Sequence, residues 1–492
     1  MDSSKAEQAV PPQVALNDED LLALLGYKQE FKRDFSRLEL FGLSFSIIGV
    51  VQSIAIVLLF SLPYGGLVGM FSSPKYRRLM SWLIGYVNTA VYIAGMAGAD
   101  WGIATQIMAA ANIGSDGQFV ATNAQVYGVF CALLVSHAIM GSLATKVIAR
   151  LQYFYVFLNI AVFLVVIITL PAATPKELHN SASFAFGHFE NTSGWTNGYA
   201  FIMSFLAPAW TVGGFDTSVH ISEEARNAPR AVPFAMLSST ILSCILGWIL
   251  TIVLAFYIGN DLNSVIGNPI GQPMATILFN SVGKQGTLAI WIFIILTSWM
   301  GAMDYLIAGS RQLFAFSRDQ GFPLSGLLYN INPMTKTPVR AVIFLAFMAL
   351  LLGLLSFAGP LAISAVFTMS IVCQYIGFAT PIIARWVGGQ KFTPGPFNLG
   401  LMSAPVAFVA SMYMIFMIVV FMFPAIPDPT SHSMNYTVVI LGGTLMLSLG
   451  YYFFPKYGGR NWFTGPVETI RDLDPSNDEK LKHSSSLEAM ET

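Results

Sequence analysis

Three aspartates stand inside long apolar stretches of the sequence, at Asp100, Asp216 and Asp304. Because a carboxylate is costly in hydrocarbon, an acid at such a position marks a ligand or ion pathway by default. A buried carboxyl group can also carry a proton. All three are therefore candidates for proton coupling, although pairing between helices would satisfy Asp100 and Asp304 as well. A single histidine in an apolar block, His137, favours a hydrogen-bonded packing role over a proton relay.

Asp216 is the strongest candidate because the residues before it weaken a helix. Gly213 and Gly214 are adjacent, and Pro208 lies shortly before them. This combination indicates a broken helix that faces a polar cavity. The alternative is a carboxylate near a helix end that reaches toward the interface or pairs with Arg226.

The first apolar block has the same character. It is interrupted by small and polar residues, namely Ser44, Ser46, Gly49, Gln52 and Ser53. Such residues in mid-membrane can expose backbone amides to the carboxylate of a ligand at the amino end of a half-helix. The alternative is that they only permit close helix packing. Together with the break before Asp216, they favour a ligand site between two broken helices.

Metal and enzyme chemistry have little support in the sequence. The cluster of His220, Glu223 and Glu224 is a weak zinc candidate, because such acids more often pair with neighbouring cations, here Arg226 and Arg230. No two of the 3 cysteines have metal-ligand or redox spacing. The sequence contains neither a GxxxxGK[ST] phosphate loop nor a GxSxG nucleophile motif. We therefore predict no metal, no cofactor and no enzymatic activity.

The composition indicates a polytopic membrane protein that positions these residues on helices. Of the 492 residues, 55% are apolar and only 10% are charged, whereas soluble domains carry roughly a quarter charged residues. The net charge of -1 offers no basic face for nucleic acid. Blocks long enough to cross about 30 Å of hydrocarbon predict eleven helical spans: 40–63, 82–110, 124–144, 151–171, 199–219, 233–258, 288–309, 339–358, 361–383, 402–424 and 436–454.

The predicted organisation is a transmembrane domain at 40–455 between two cytoplasmic tails, 1–39 and 456–492. Lys and Arg in short loops favour the cytoplasm, and from residue 82 onward the cation-rich loops alternate with cation-poor ones. The alternation fails at the beginning of the chain. Lys75, Arg77 and Arg78 should be inside, yet a single span separates them from the cytoplasmic amino end. Either a positive loop is stranded outside, or a helix is missing.

Several stretches together resemble fungal amino acid permeases of the amino acid/choline transporter family, within the amino acid–polyamine–organocation superfamily. The resemblance runs from about Gly26 to about Gly465. It is carried by APAWTVGGFD at 207–216, HISEE at 220–224, NAPRAVP at 227–233, LGYKQEFKR at 25–33, SRQLFAFSRDQG at 310–321 and GPFNLG at 395–400.

The resemblance implies a leucine-transporter-like fold of two inverted five-helix repeats plus two helices, about 12 spans where about 11 are seen. It implies a multi-pass carrier, in the plasma membrane rather than the vacuole, for amino acids, γ-aminobutyrate, choline or polyamines, commonly coupled to protons. The substrate would lie between broken helices one and six. Carried over by motif, the residues around it are Gly49, Val50, Gln52, Ser53, Trp210, Gly213, Gly214, Phe215 and Asp216. The lysine that some relatives place in helix five is absent from 151–171.

Helix two is where the sequence departs from the family. Relatives have a helix rich in small residues between a stretch like Tyr64-Gly65-Gly66 and a stretch like Ser73-Pro74-Lys75, and here Gly69-Met70-Phe71 joins the two directly. This agrees with the failed alternation of charge. Three interpretations stay open, which are a working carrier, a nutrient receptor that does not transport, and an inactive variant that lacks helix two.

Overall fold

The structure is a computed structural model, and it describes residues 30–31, 33, 35–48, 77–143, 145–387, 399–430 and 434–465. Its helices are α1 (Arg37–Ile48), α2 (Arg77–Gly114), α3 (Asn123–Gly141), α4 (Thr145–Ala173), α5 (Ala182–Gly187), α6 (Asn197–Met203), α7 (Leu206–Val212), α8 (Thr217–His220), α9 (Ala228–Tyr257), α10 (Leu262–Ile266), α11 (Pro273–Arg318), α12 (Ser325–Leu328), α13 (Val339–Gly353), α14 (Pro360–Val387), α15 (Ser403–Val420) and α16 (Thr437–Phe453). Short 3-10 helices lie at Lys176–Leu178, Ser222–Glu224, Leu354–Ala358, Gly400–Met402 and Gly459–Asn461.

The helices confirm the all-α polytopic architecture. Within the described ranges, nine helical segments are long and apolar enough to cross a membrane, and α16 is a shorter apolar helix at the last predicted span. Each of the ten predicted spans after residue 82 coincides with one of these segments. The first predicted span, 40–63, is described only as far as Ile48, where α1 ends; its remainder lies outside the described residues.

Local signals in the sequence explain where several helices begin. Thr122 caps α3 and forms a capping box with Gln125, whose side chain accepts from the Thr122 amide at 2.9 Å. Pro273 opens α11, where its missing N–H costs nothing. A kink at Gly283, with φ of 67°, divides α11 into a short leading helix and the membrane-crossing part.

Three helices form the interior of the bundle. The apolar windows of α2 and α11 are each 50% buried and that of α14 is 61% buried, against 22% for α9. α2 packs against both α11 and α14. Polar side chains that are buried on these helices, such as Asp100, Asp304 and Gln374, therefore lie inside the bundle, where ionisable groups can be satisfied in a membrane.

The chain segments that precede and follow the predicted membrane domain pack onto the bundle. Phe31 and Phe35, within the predicted amino-terminal tail, are 4% and 0% exposed. Phe35 and Ala225 form a parallel β-bridge. At the other end, Phe463 packs edge-on against the fully buried Trp82. The described residues before and after the membrane domain are therefore packed against it through these aromatic side chains.

Candidate functional site

A break in the fifth predicted span, 199–219, positions the candidate site. α7 ends at Val212 and α8 begins at Thr217. Gly214 between them has φ of 89°, a left-handed conformation that costs a residue with a side chain about 1–2 kcal/mol. The adjacent glycines predicted a broken helix, and the interruption between α7 and α8 confirms it.

Asp216 lies in this break and is 8% exposed. Its Oδ2 accepts from the Tyr92 hydroxyl at 3.2 Å, and its Oδ1 accepts from the Gln374 side-chain amide at 3.0 Å. His220 Nε2 lies 3.4 Å from Oδ2, one helical turn further along the chain. Asp216 therefore does not reach the interface or pair with Arg226, whose Nε donates instead to the Arg33 carbonyl oxygen at 3.1 Å.

Aromatic rings enclose the carboxylate. The Tyr92 ring lies 5.2 Å from the Tyr305 ring and 5.3 Å from the His220 ring. The Tyr305 hydroxyl is 3.4 Å from that of Ser370. Four elements (α2, the break with α8, α11 and α14) thus supply one polar cluster within an apolar bundle.

The remaining predicted residues of the break contact α14 and α2. The Trp210 ring packs edge-on against Phe367, with ring centroids 4.9 Å apart, and Phe215 lies 5.0 Å from the Phe378 ring. A Cβ placed on Gly213 would lie 3.0 Å from the Gln374 side-chain oxygen, and a Cβ on Gly98 would lie 3.1 Å from the Trp210 ring. Glycine at 98 and 213 permits the broken helix to approach its neighbours closely.

The acids after the break form ion pairs that the sequence did not predict. Glu224 pairs with Arg311 at 2.7 Å, with both side chains at most 2% exposed. Glu223 pairs with Arg318 at 2.9 Å. The expected pairing with Arg226 and Arg230 is wrong, because α11 brings more distant cations over these acids.

His220 does not share the partners of these acids. Glu223 and Glu224 pair with arginines, whereas His220 lies next to Asp216. Among the described residues, no group of three His, Cys, Asp or Glu side chains is arranged to hold a metal ion.

Outside the spans, the Tyr329 hydroxyl donates to Glu30. Burial, together with Glu30, raises the pKa of Tyr329, so this hydroxyl stays a neutral donor at physiological pH.

The other two aspartates occupy separate buried pairs. Asp100 on α2 is fully buried against His137 on α3, with Nδ1 3.0 Å from Oδ1. Asp304 on α11 is also fully buried and accepts from the Gln152 amide of α4 at 2.6 Å. The structure does not bring either of them into the Asp216 cluster. The candidates of the first span, Gly49, Val50, Gln52 and Ser53, lie outside the described residues.

Sequence reasoning missed the partners of Asp216. Gln374 carried a usable signal, because an amide in an apolar block must find a partner. Tyr92 and Tyr305 carried none, since tyrosine is common at membrane interfaces. Their role depends on how α2, α11 and α14 meet.

Comparison with known proteins places the chain in a family. The sequence pattern of the amino acid permease family matches residues 39–445. The chain is 35% identical to a Schizosaccharomyces pombe protein named as an uncharacterized amino-acid permease, over 93% of this chain and 89% of that protein. It is 34% identical to the GABA-specific permease of Saccharomyces cerevisiae, over 94% of this chain and 87% of that protein.

These matches agree with the apolar helices, the broken helix and the polar cluster inside the bundle. Both named relatives are fungal permeases, as the motifs around Asp216 had indicated. The chain belongs to the amino acid permease family, as a multi-pass membrane protein for transport of amino acids or related amines rather than an enzyme.

Proposed function

We propose that the chain is a proton-coupled secondary carrier whose substrate binds through its ammonium group to Asp216. The observation that supports this most is the buried carboxylate at the helix break. A carboxylate offers about four acceptor positions, and the Tyr92 hydroxyl, the Gln374 amide and His220 take up part of them. An ammonium group brings three donors and a complementary charge to the remaining capacity.

The surroundings of Asp216 suit a carboxylate that binds substrate. The Gln374 amide and the Tyr92 hydroxyl both donate to the carboxylate and hold it in place at the break. Trp210 and Phe215 beside the break would cover the apolar part of a small amine. Asp216 remains a coupling candidate together with Asp100 and Asp304, and replacement of each by Asn separates them through the pH dependence of uptake.

The name of one relative supports a particular class of substrate. One relative is named for γ-aminobutyrate, a small zwitterion with a primary ammonium group. We propose a substrate of this kind and a location in the plasma membrane, where a proton gradient would drive uptake. A competition panel of γ-aminobutyrate, neutral and basic amino acids, choline and polyamines, in a permease-deficient yeast strain, tests the class. Competition by choline alone, which has no N–H donor for Asp216, would contradict the proposed ammonium contact.

A chain that binds substrate without carrying it is the second candidate, and the charge distribution around the first span favours it. Lys75, Arg77 and Arg78 are predicted inside although a single span precedes them. Residues 49–76 lie outside the described residues. Saturable binding to membranes without uptake into the same cells identifies this candidate, which includes both a nutrient receptor and an inactive variant without helix two.

A further inference from the structure

A buried pair of ionisable side chains lies apart from the Asp216 cluster, between α2, α3 and α11. Asp100 and His137 are both 0% exposed. The His137 Nδ1 atom faces the Asp100 carboxyl group, 3.0 Å from Oδ1 and 3.2 Å from Oδ2. The opposite ring atom, Nε2, lies 2.9 Å from the backbone carbonyl oxygen of Trp299. Both nitrogen atoms of one imidazole therefore face oxygen atoms.

This arrangement restricts where protons can be. A carbonyl oxygen only accepts, so a contact of 2.9 Å requires a hydrogen on Nε2. If His137 is neutral, Nδ1 is then a bare acceptor and needs a donor from Asp100, which has one only when its carboxyl group is protonated. If Asp100 is ionised, Nδ1 must carry a hydrogen too, and the ring is an imidazolium. In both cases the pair holds one proton more than a neutral histidine beside a carboxylate.

We propose that Asp100 and His137 form a proton-binding site of the carrier, which the structure presents in its filled state. On filling, the charge of the pair changes from -1 to 0 as one proton binds. On emptying, the same proton leaves, and either the Trp299 carbonyl oxygen or the Asp100 carboxylate is left without its donor. This inference rests on the proposed proton coupling and assigns that role to residues outside the substrate cluster.

Several other ionisable groups on the helices around the pair have partners elsewhere. On α2, Tyr92 donates to Asp216. On α3, the Tyr127 hydroxyl donates to the Leu350 carbonyl oxygen at 3.1 Å. On α11, Asp304 accepts from Gln152, and Tyr305 lies next to Ser370. Among the described residues, the ion pair of the Asp100 carboxyl group is with His137.

One contact connects the pair to the broken helix, and a second set connects α3 to α11. The Trp210 ring of the broken helix lies against the backbone of Gly98, two residues before Asp100. Trp299, whose carbonyl oxygen accepts from His137, also stacks on the His137 ring at 4.9 Å and donates its indole N–H to Ser136 at 2.9 Å. Movement of the broken helix would therefore disturb the surroundings of the proton, and loss of the proton would weaken the contact between α3 and α11.

The first test follows protonation directly and needs no substrate. The full chain is reconstituted in lipid nanodiscs with ¹⁵N-labelled histidine, and the His137 signals are assigned by their loss in His137→Gln. We expect Nε2 to carry a hydrogen, and the Nδ1 signal to change with pH in wild type, as the shared proton is lost, but not in Asp100→Asn. A bare Nε2, or an Nδ1 signal that is the same at every pH, would overturn the proposal.

The second test measures coupling in cells that take up substrate. Wild-type uptake should rise as external pH falls, and Asp100→Asn and His137→Gln should lose this dependence while substrate exchange across the membrane is retained. Ser136→Ala is the matched control, because it removes the neighbouring Trp299 hydrogen bond without removing an ionisable group. An unchanged pH profile in Asp100→Asn would contradict the proposal. Absence of uptake in wild type would contradict the carrier function and leave the histidine titration as an independent result.

Discussion

Gln374 donates to Asp216 at 3.0 Å although the two residues are 158 positions apart in the chain. The contact joins the break after α7 to the interior helix α14. Because Gly213 lies close to the same Gln374 side chain, the geometry of the break and the position of the carboxylate depend on each other. Replacement of either glycine should therefore disturb the binding site as well as the local backbone.

Gly214→Leu should abolish substrate uptake and binding while the amount of protein in the membrane stays largely unchanged. The φ of 89° at this residue is a left-handed conformation, which costs a residue with a side chain about 1–2 kcal/mol. That penalty distorts the break without unfolding the whole bundle. Gly198→Leu is the control, since a Cβ at Gly198 has nothing within 4 Å. Normal binding by a well-expressed Gly214→Leu protein would show that the break does not form the site.

Arg311→Met should lower the thermal stability of the protein sharply. Arg311 and Glu224 are at most 2% exposed, and removal of one partner from a buried ion pair costs about 3–5 kcal/mol because the other charge stays buried and unpaired. The double variant Arg311→Met/Glu224→Gln should recover much of this loss. Thermal unfolding followed by size-exclusion chromatography in detergent measures both.

Lys284→Met is the matched control for Arg311→Met, because it removes one partner from an exposed ion pair. Lys284 lies 2.7 Å from Asp116, but the two side chains are 35% and 76% exposed, and exposed pairs contribute about 0–1 kcal/mol. Its unfolding temperature should stay close to wild type. A loss at Lys284→Met as large as that at Arg311→Met would contradict the role given to burial.

The position of the loop before α2 can be measured in a cysteine-free background. We expect Ser73→Cys to react with a membrane-impermeant thiol reagent from the cytoplasmic side, because Lys75, Arg77 and Arg78 follow it. Ser36→Cys is the cytoplasmic reference. Labelling of both from the cytoplasm means that the first apolar block does not cross the membrane, and such a chain should bind substrate without carrying it. Labelling of Ser73→Cys from outside only would mean that the first apolar block crosses the membrane and that the three cations lie on the external side.

Sequence reasoning located the helices well because the length and apolarity of a block decide whether it spans the bilayer. It also located the break, since Gly213 and Gly214 act on their own backbone. It could not find the partners of Asp216, because Tyr92 and Gln374 come from helices far away in the chain. The same limit explains the wrong partners of Glu223 and Glu224, since Arg226 is adjacent in sequence whereas Arg318 and Arg311 are 95 and 87 positions away.

His137 shows the same limit, because the sequence does not reveal which residues contact it. Its isolation in an apolar block favoured packing, and its hydrogen bonds to Asp100 and Trp299 agree with that. A proton count needs the identity of both neighbours, which the sequence does not provide. Asp100 was a candidate from the sequence alone, but its pairing with a histidine became visible only once α2 and α3 were placed together.

The account depends most on Asp216 as the anchor for the ammonium group of the substrate, and equilibrium binding tests this directly without requiring transport. The probe is radiolabelled γ-aminobutyrate, which has the proposed ammonium group, measured on the purified full chain in nanodiscs. Asp216→Asn should weaken binding at least about tenfold, because a hydrogen bond to a charged group contributes about 1.5–3 kcal/mol. Asp116→Asn, the same substitution at an exposed acid, should bind as wild type does. Equal affinity of wild type and Asp216→Asn would contradict the account.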